Sequence, residues 1–198
     1  MNPRVFLLVS LLAAAAAGAG CSLLPAPKPD PTRFFVLAAE PGASAPARGA
    51  VALRPVELAA YLRQPALVVR RGGHEVTFRE AARWGEPLEQ GVSRVLGENL
   101  RRLGLVPANR GGEADAAILV VRVLAAEGTA SGGVEFRAAW ELTRRGAAPV
   151  GGECRAPGLT WDGRDEAGLA GSLSAAVAGL AAEIAARWPA GPDLAGAR

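Results

Sequence analysis

The residues best suited to chemistry are few and far apart: Cys21, His74 and Cys154, two cysteines and one histidine. Cys21 follows Gly18-Ala19-Gly20, which itself follows an apolar run from Val5 to Ala17 behind the cation Arg4. A positive start, a short apolar run and small residues make a secretory signal. A cysteine directly after it is the thiol that a lipoprotein signal peptidase needs, although Gly18 stands where such signals favour Leu. The chemistry expected here is cleavage before Cys21 and acylation of Cys21 by chains such as palmitate. Each buried methylene of such a chain contributes about 0.8 kcal/mol, and more than one chain makes the anchorage durable. The apolar run is too short to span a bilayer stably, so the covalent lipid on Cys21 takes the place of a transmembrane helix. No other cofactor is expected. Ser22 follows, where an Asp would signal retention at the inner membrane, so the reading is an outer-membrane lipoprotein facing the periplasm.

The remaining candidates fall to simpler explanations. His74 follows Gly72-Gly73 at an expected hairpin and reads as a solvated turn residue. Cys154 shares its strand parity with Val150, and free cysteines are among the most buried residue types. One histidine and one free thiol after Cys21 make no zinc site of N/S type. The glycine pairs at 72, 111, 132 and 151 match neither phosphate-binding nor dinucleotide-binding spacing, and no GxSxG elbow surrounds Ser93 or Ser131. Glu86 and Glu89 complement a helix start, and Asp162 and Asp165 read as residues at the beginning of another. No catalytic and no metal-binding residue is expected, and the reading is of a non-enzyme.

Composition narrows the class further. The chain of 198 residues suits one domain with a substantial core. Without Arg4, 21 basic side chains face 19 acidic ones. That near balance, with no basic stripe carrying interleaved aromatics, gives no argument for nucleic acid. Cys154 has no disulfide partner once Cys21 is acylated, so stability has to come from packing.

The elements that position these residues follow from periodicity. Residues 22–31, SLLPAPKPDP, bar helix and form an extended tether. RFFVL (33–37) is a first strand, and Val51–Leu58 a strand whose Pro55 places it at an edge or an end. Ala66–Arg70 and His74–Arg79 form a hairpin. Glu86–Leu103 is a helix with Leu88, Val92, Val95, Leu96, Asn99 and Leu103 on one stripe and Gly104 as its C-cap. Ala116–Ala126 is apolar on both parities, as in a strand covered on both faces. Val134–Thr143 alternates strictly, Val150–Trp161 is a glycine-interrupted strand, and Asp165–Trp188 closes with Leu169, Leu173, Val177, Leu180 and Ile184 on one stripe. The expected fold is α+β, a mixed or mainly antiparallel sheet with two amphipathic helices packed on one face. Its expected organisation is a signal peptide at 1–20, a tether at 21–31, one domain at 32–189 and a tail at 190–198.

One stretch carries a resemblance. Tyr61, Leu62 and Pro65, then Arg83-Trp84, then Glu86-Pro87-Leu88 lie within residues 61–104. That order resembles the ABC-type transport auxiliary lipoproteins, outer-membrane lipoproteins of the PqiC/YmbA type. The RFFVL strand and the closing helix also fit. The resemblance implies an auxiliary or docking component of an MCE-type, ABC-transporter-linked system for intermembrane lipid transport. Its partners would be the outer membrane, a periplasmic MCE-domain protein and inner-membrane transporter components; self-association into a homo-oligomer is left open. It implies no catalytic residues. Tyr61 and Trp84 are the candidate partner-interface residues, against the alternative that both pack on the first helix. Two other readings stand beside it: a structural lipoprotein of another machine, similar to the lipopolysaccharide-assembly lipoprotein, and a periplasmic carrier holding lipid within the domain. A periplasmic hydrolase lacks a recognisable nucleophile, base or metal set.

Overall fold

The computed structural model describes residues 28–108 and 116–188. The expected signal peptide, Cys21, the tether before Lys28 and the tail from 190 lie outside the described residues. Chain contacts separate the residues up to Pro31 from a unit that begins at Thr32, and the second unit is described below.

Its strands are β1 (Arg33–Phe35), β2 (Gly49–Leu53), β3 (Glu57–Leu58), β4 (Ala66–Arg70), β5 (Val76–Trp84), β6 (Leu105–Pro107), β7 (Ala117–Thr129), β8 (Val134–Thr143) and β9 (Val150–Arg155). A 3-10 turn covers Ala60–Arg63, and the helices are α1 (Leu88–Arg102) and α2 (Glu166–Ala186). The strands join in one mixed sheet. With the two helices they make the α+β fold that the sequence pattern predicts.

The long strand β7 is the spine. Along one edge it pairs in parallel with β2 (Val51 opposite Ala117), β3 (Leu58 opposite Val123) and β4 (Val69 opposite Gly128) in turn. Along the other edge it runs antiparallel to β8, from Ile118 opposite Thr143 to Gly128 opposite Val134. β9 extends the sheet beyond β8, β5 and then β1 extend it beyond β4, and β6 lies beside β2. Pro55 breaks what alternation reads as one strand into β2 and β3. It lies at the strand end that the sequence allowed for, and the amides of Arg54 and Ala59 on either side both donate to β7, at 2.9 Å to the carbonyls of Leu119 and Val123.

Both helices cover one face. Leu88, Val92, Val95, Leu96 and Leu100 of α1 and Leu169, Leu173, Val177, Leu180 and Ile184 of α2 are buried against Leu119, Val121, Phe136, Ala138, Trp140 and Leu142 of the sheet. Asp165 caps α2, its carboxylate accepting from the amides of Ala167 (3.2 Å) and Gly168 (3.1 Å). By length and composition α2 could cross a membrane, yet more than half of it is buried, as in a core helix. Its outward positions, Ala167, Gly171, Gly179 and Ala182, are small rather than charged.

The other face of the sheet corrects the reading of β7 as covered on both sides. Val120 and Arg122 are exposed, and the strand is enclosed on both faces only from Ala125 to Gly128, beyond an irregularity between Val123 and Ala125. Ion pairs line this open face: Arg122 with Glu57 at 2.8 Å, and Arg155 with Glu153 at 2.8 Å. Apolar type at both parities recorded a local β preference, not two covering layers.

Arg48, from the loop before β2, ties the helices together. It donates through Nε to the Leu103 carbonyl (3.2 Å) and through Nη2 to the Ala185 carbonyl (3.1 Å), two C-terminal groups of separate helices. A cation in that position adds a donor at each C-terminal end and complements both dipoles. Arg48→Met is expected to cost about 1–2 kcal/mol, read from urea unfolding midpoints at constant slope.

Candidate functional site

Cys21 lies outside the described residues, so the structure begins with the domain that the expected anchor would carry. The two candidate interface residues are placed differently. Trp84 ends β5 at 7% exposure inside the helix-sheet core, and its amide donates to the Pro65 carbonyl at 2.7 Å. The Arg-Trp segment therefore continues β5 instead of following it, and the Trp84 ring serves packing. Tyr61, in the 3-10 turn, is half-buried against the same core.

The Tyr61 hydroxyl donates to the Leu124 carbonyl at 3.4 Å and stands beside a buried ion pair. Glu127 of β7 has no exposed surface. Arg70 of β4 reaches it through Nε, and lies 3.5 Å from Glu135 of β8. One Glu127 oxygen, Oε2, has no hydrogen-bond partner. Burial first, then the Glu127 carboxylate, pushes the Tyr61 hydroxyl above its ordinary range. The arrangement locks the parallel β4–β7 junction, because Glu127 is shut off from water and its carboxylate would be costly without the Arg70 guanidinium. Sequence reading missed it. The available signal was Glu127 itself, the lone acid near the end of a mostly apolar strand.

Cys154 and His74 do not meet. Cys154 is 4% exposed on β9, where burial first, then Glu183, pushes its thiol up to about 12. His74 is exposed in the turn between β4 and β5. Native protein at pH 8 is expected to leave Cys154 unalkylated by iodoacetamide, and unfolding in urea to restore ordinary thiol rates. Mass spectrometry of the labelled chain checks this; rapid native labelling would show an accessible thiolate. Among the described residues no group of three or more His, Cys, Asp or Glu side chains could hold a metal ion.

Surface is what the domain presents. The edge strand β1 carries Phe34 at 68% exposure, with Val36 at 57% just beyond it. Phe34 lies opposite the exposed Arg83 of β5 in the parallel register, and aromatic-plus-cation edges of this kind are common at interfaces. The other surface is the ion-paired open face of the sheet.

A mixed sheet, two helices on one side and an open second face define a compact α+β domain that offers surfaces for association. Residues 35–185 match the family model of the ABC-type transport auxiliary lipoprotein component, and the chain belongs to that family. The family is a component of transport systems, not an enzyme class, and its lipoprotein character associates it with a membrane. The fold is similar to a crystal structure described as an uncharacterized protein, with TM-score 0.63 and 22% identity over 78% of this chain and 97% of that one. It is also similar to protein XCC0632 from Xanthomonas campestris, of the DUF330 family, with TM-score 0.60 and 14% identity over 77% and 92% of the two chains. No curated protein matches the chain.

Proposed function

We propose that this chain is a non-catalytic lipoprotein, anchored through acylated Cys21 to the periplasmic face of the outer membrane. There it serves as a docking component of an MCE-type, ABC-transporter-linked lipid-transport assembly. The observation that carries the reading is the family match over residues 35–185, with Cys21 and a proline-rich spacer ahead of it. The geometry is coherent with it. A Cys21 anchor confines the domain to a membrane plane, the spacer gives it reach, and the open sheet face and the β1 edge are left for contacts. The core favours docking over carriage, since its helix-sheet interface is filled by leucines, valines and tryptophans.

Two measurements test this. Mass spectrometry of the mature chain is expected to show cleavage before Cys21 and an acylated N-terminus, and Cys21→Ser to release the protein from the outer-membrane fraction. Affinity purification of the lipidated chain from envelopes is expected to bring an MCE-domain protein and transporter subunits. An unmodified Cys21 in a freely soluble chain would remove the anchor. An acylated chain that brings down a different assembly machine, and no MCE or ABC component, would replace the docking reading.

A further inference from the structure

Phe34 and Val36 are the two most exposed large apolar side chains among the described residues. Both belong to the sheet edge made by β1, whose single strand neighbour is β5. Phe35 between them packs on the core opposite Trp84, so the alternation of the strand turns Phe34 outward. Val36 then shares a surface groove with Ala39, Pro41, Ala167 and Gly171, where the chain after β1 meets the first half of α2. From Ala167 to Ala182 that helix carries no charged side chain, although the solvated face of a helix ordinarily does. The apolar surface thus runs from the sheet edge onto the helix.

Chain connectivity says what lies nearest to it. Residues 22–32 are all that separates Cys21 from β1, a reach of about 35–40 Å even when drawn out as polyproline. An acylated Cys21 therefore holds β1 closer to the bilayer along the chain than any other element. Tethering of this kind raises the effective concentration, and turns a contact too weak to recruit a free protein into a lasting one. A partner strand fits the edge less well. β1 offers only three residues for a ladder, against roughly five or six in an ordinary strand.

We propose that the β1 edge and the adjoining first half of α2 rest on the bilayer that holds Cys21, with Phe34 and Val36 inserted at headgroup depth. At that depth water and headgroups still satisfy the outer amides and carbonyls of β1, which the hydrocarbon interior does not. The inference rests on the Cys21 anchor of the proposed function, and it leaves the open sheet face to protein partners.

The test places the full mature chain on vesicles of phosphatidylethanolamine and phosphatidylglycerol that contain a phospholipid with a photoactivatable diazirine in its acyl chain. One sample carries native acylation. A second, unacylated, is joined through Cys21 to a maleimide lipid while Cys154 stays buried. After illumination, mass spectrometry is expected to find adducts on the tryptic peptide 34–48 at least about fivefold above those on peptide 111–122, which carries Val120 of the open face. Phe34→Asp with Val36→Asp is expected to reduce the β1 adducts by about fivefold or more, with the unfolding midpoint close to that of the parent. Adducts on β1 of the maleimide-tethered chain, with no lipid on the native one, would remove the acyl anchor and support the orientation. An acylated chain whose adducts fall on peptide 111–122, or nowhere on the domain, would overturn the orientation and leave the anchor intact. Absent adducts, together with β1 amides that become protected from exchange in the concentrated Cys21→Ser chain, would overturn it in favour of a second copy at the edge.

Discussion

Arg70→Met is expected to destabilise the domain by about 3–5 kcal/mol at neutral pH, the cost of leaving a buried charge without its partner. Glu127 has no exposed surface, and Arg70 supplies its ion pair. Methionine keeps the stem of the side chain and removes only the fork. Adding Glu127→Leu to the same chain is expected to recover most of the loss, because a well-packed apolar pair of similar volume is often as stable as the ion pair it replaces. Urea unfolding of the parent, the two single variants and the double variant measures the coupling directly. A loss below about 1 kcal/mol for Arg70→Met would mean that water reaches Glu127 and that the pair behaves like an exposed one. Tyr61→Phe, which removes the hydroxyl donated to Leu124 but keeps the ring, belongs in the same series with an expected loss of about 0.5–1.5 kcal/mol.

The second large effect comes from a pair of identical substitutions with opposite signs. Gly104→Ala is expected to cost about 2–4 kcal/mol, combining left-handed strain with overpacking. Gly104 has φ +84°, and its Cβ would fall on the backbone carbonyl oxygen of Pro46, which has no flexible end to move. Gly97→Ala, a little earlier on α1, is expected to stabilise by about 0.5–1 kcal/mol, because its backbone is already helical and its surroundings are open. Thermal unfolding of the two variants side by side checks the difference. Equal effects would show that the turn after α1 readjusts around the new methyl group.

What was legible in the sequence was local. The α1 and α2 stripes follow from helical periodicity, and the described helices, Leu88–Arg102 and Glu166–Ala186, lie within two residues of the expected limits. The alternation of Val134–Thr143 gave β8 with its core face correctly assigned. Three features escaped because they depend on residues far apart in the chain. Parallel pairing of β2, β3 and β4 along β7 leaves no turn signature, since parallel neighbours are joined by long connections. The role of Arg48 requires knowing that two helix ends converge, which no local pattern encodes. The Arg70–Glu127 pair belongs to the junction of β4 and β7, and only the assembled sheet reveals it, whereas core packing of Trp84 was already one of the two alternatives the sequence left open.

The spine position of β7 bears on how the molecule comes into being. Strands β2, β3 and β4 precede it in the sequence, yet each finds its neighbour on β7, with no hairpin among the three. A chain emerging from its N-terminus therefore cannot close the sheet until β7 has appeared, and the edges of β2, β3 and β4 that face β7 wait unpaired, although β4 can already pair with β5. Such long-range closure is slow and exposed to aggregation. The interval before β7 arrives is thus the one in which shielding of those edges would matter most.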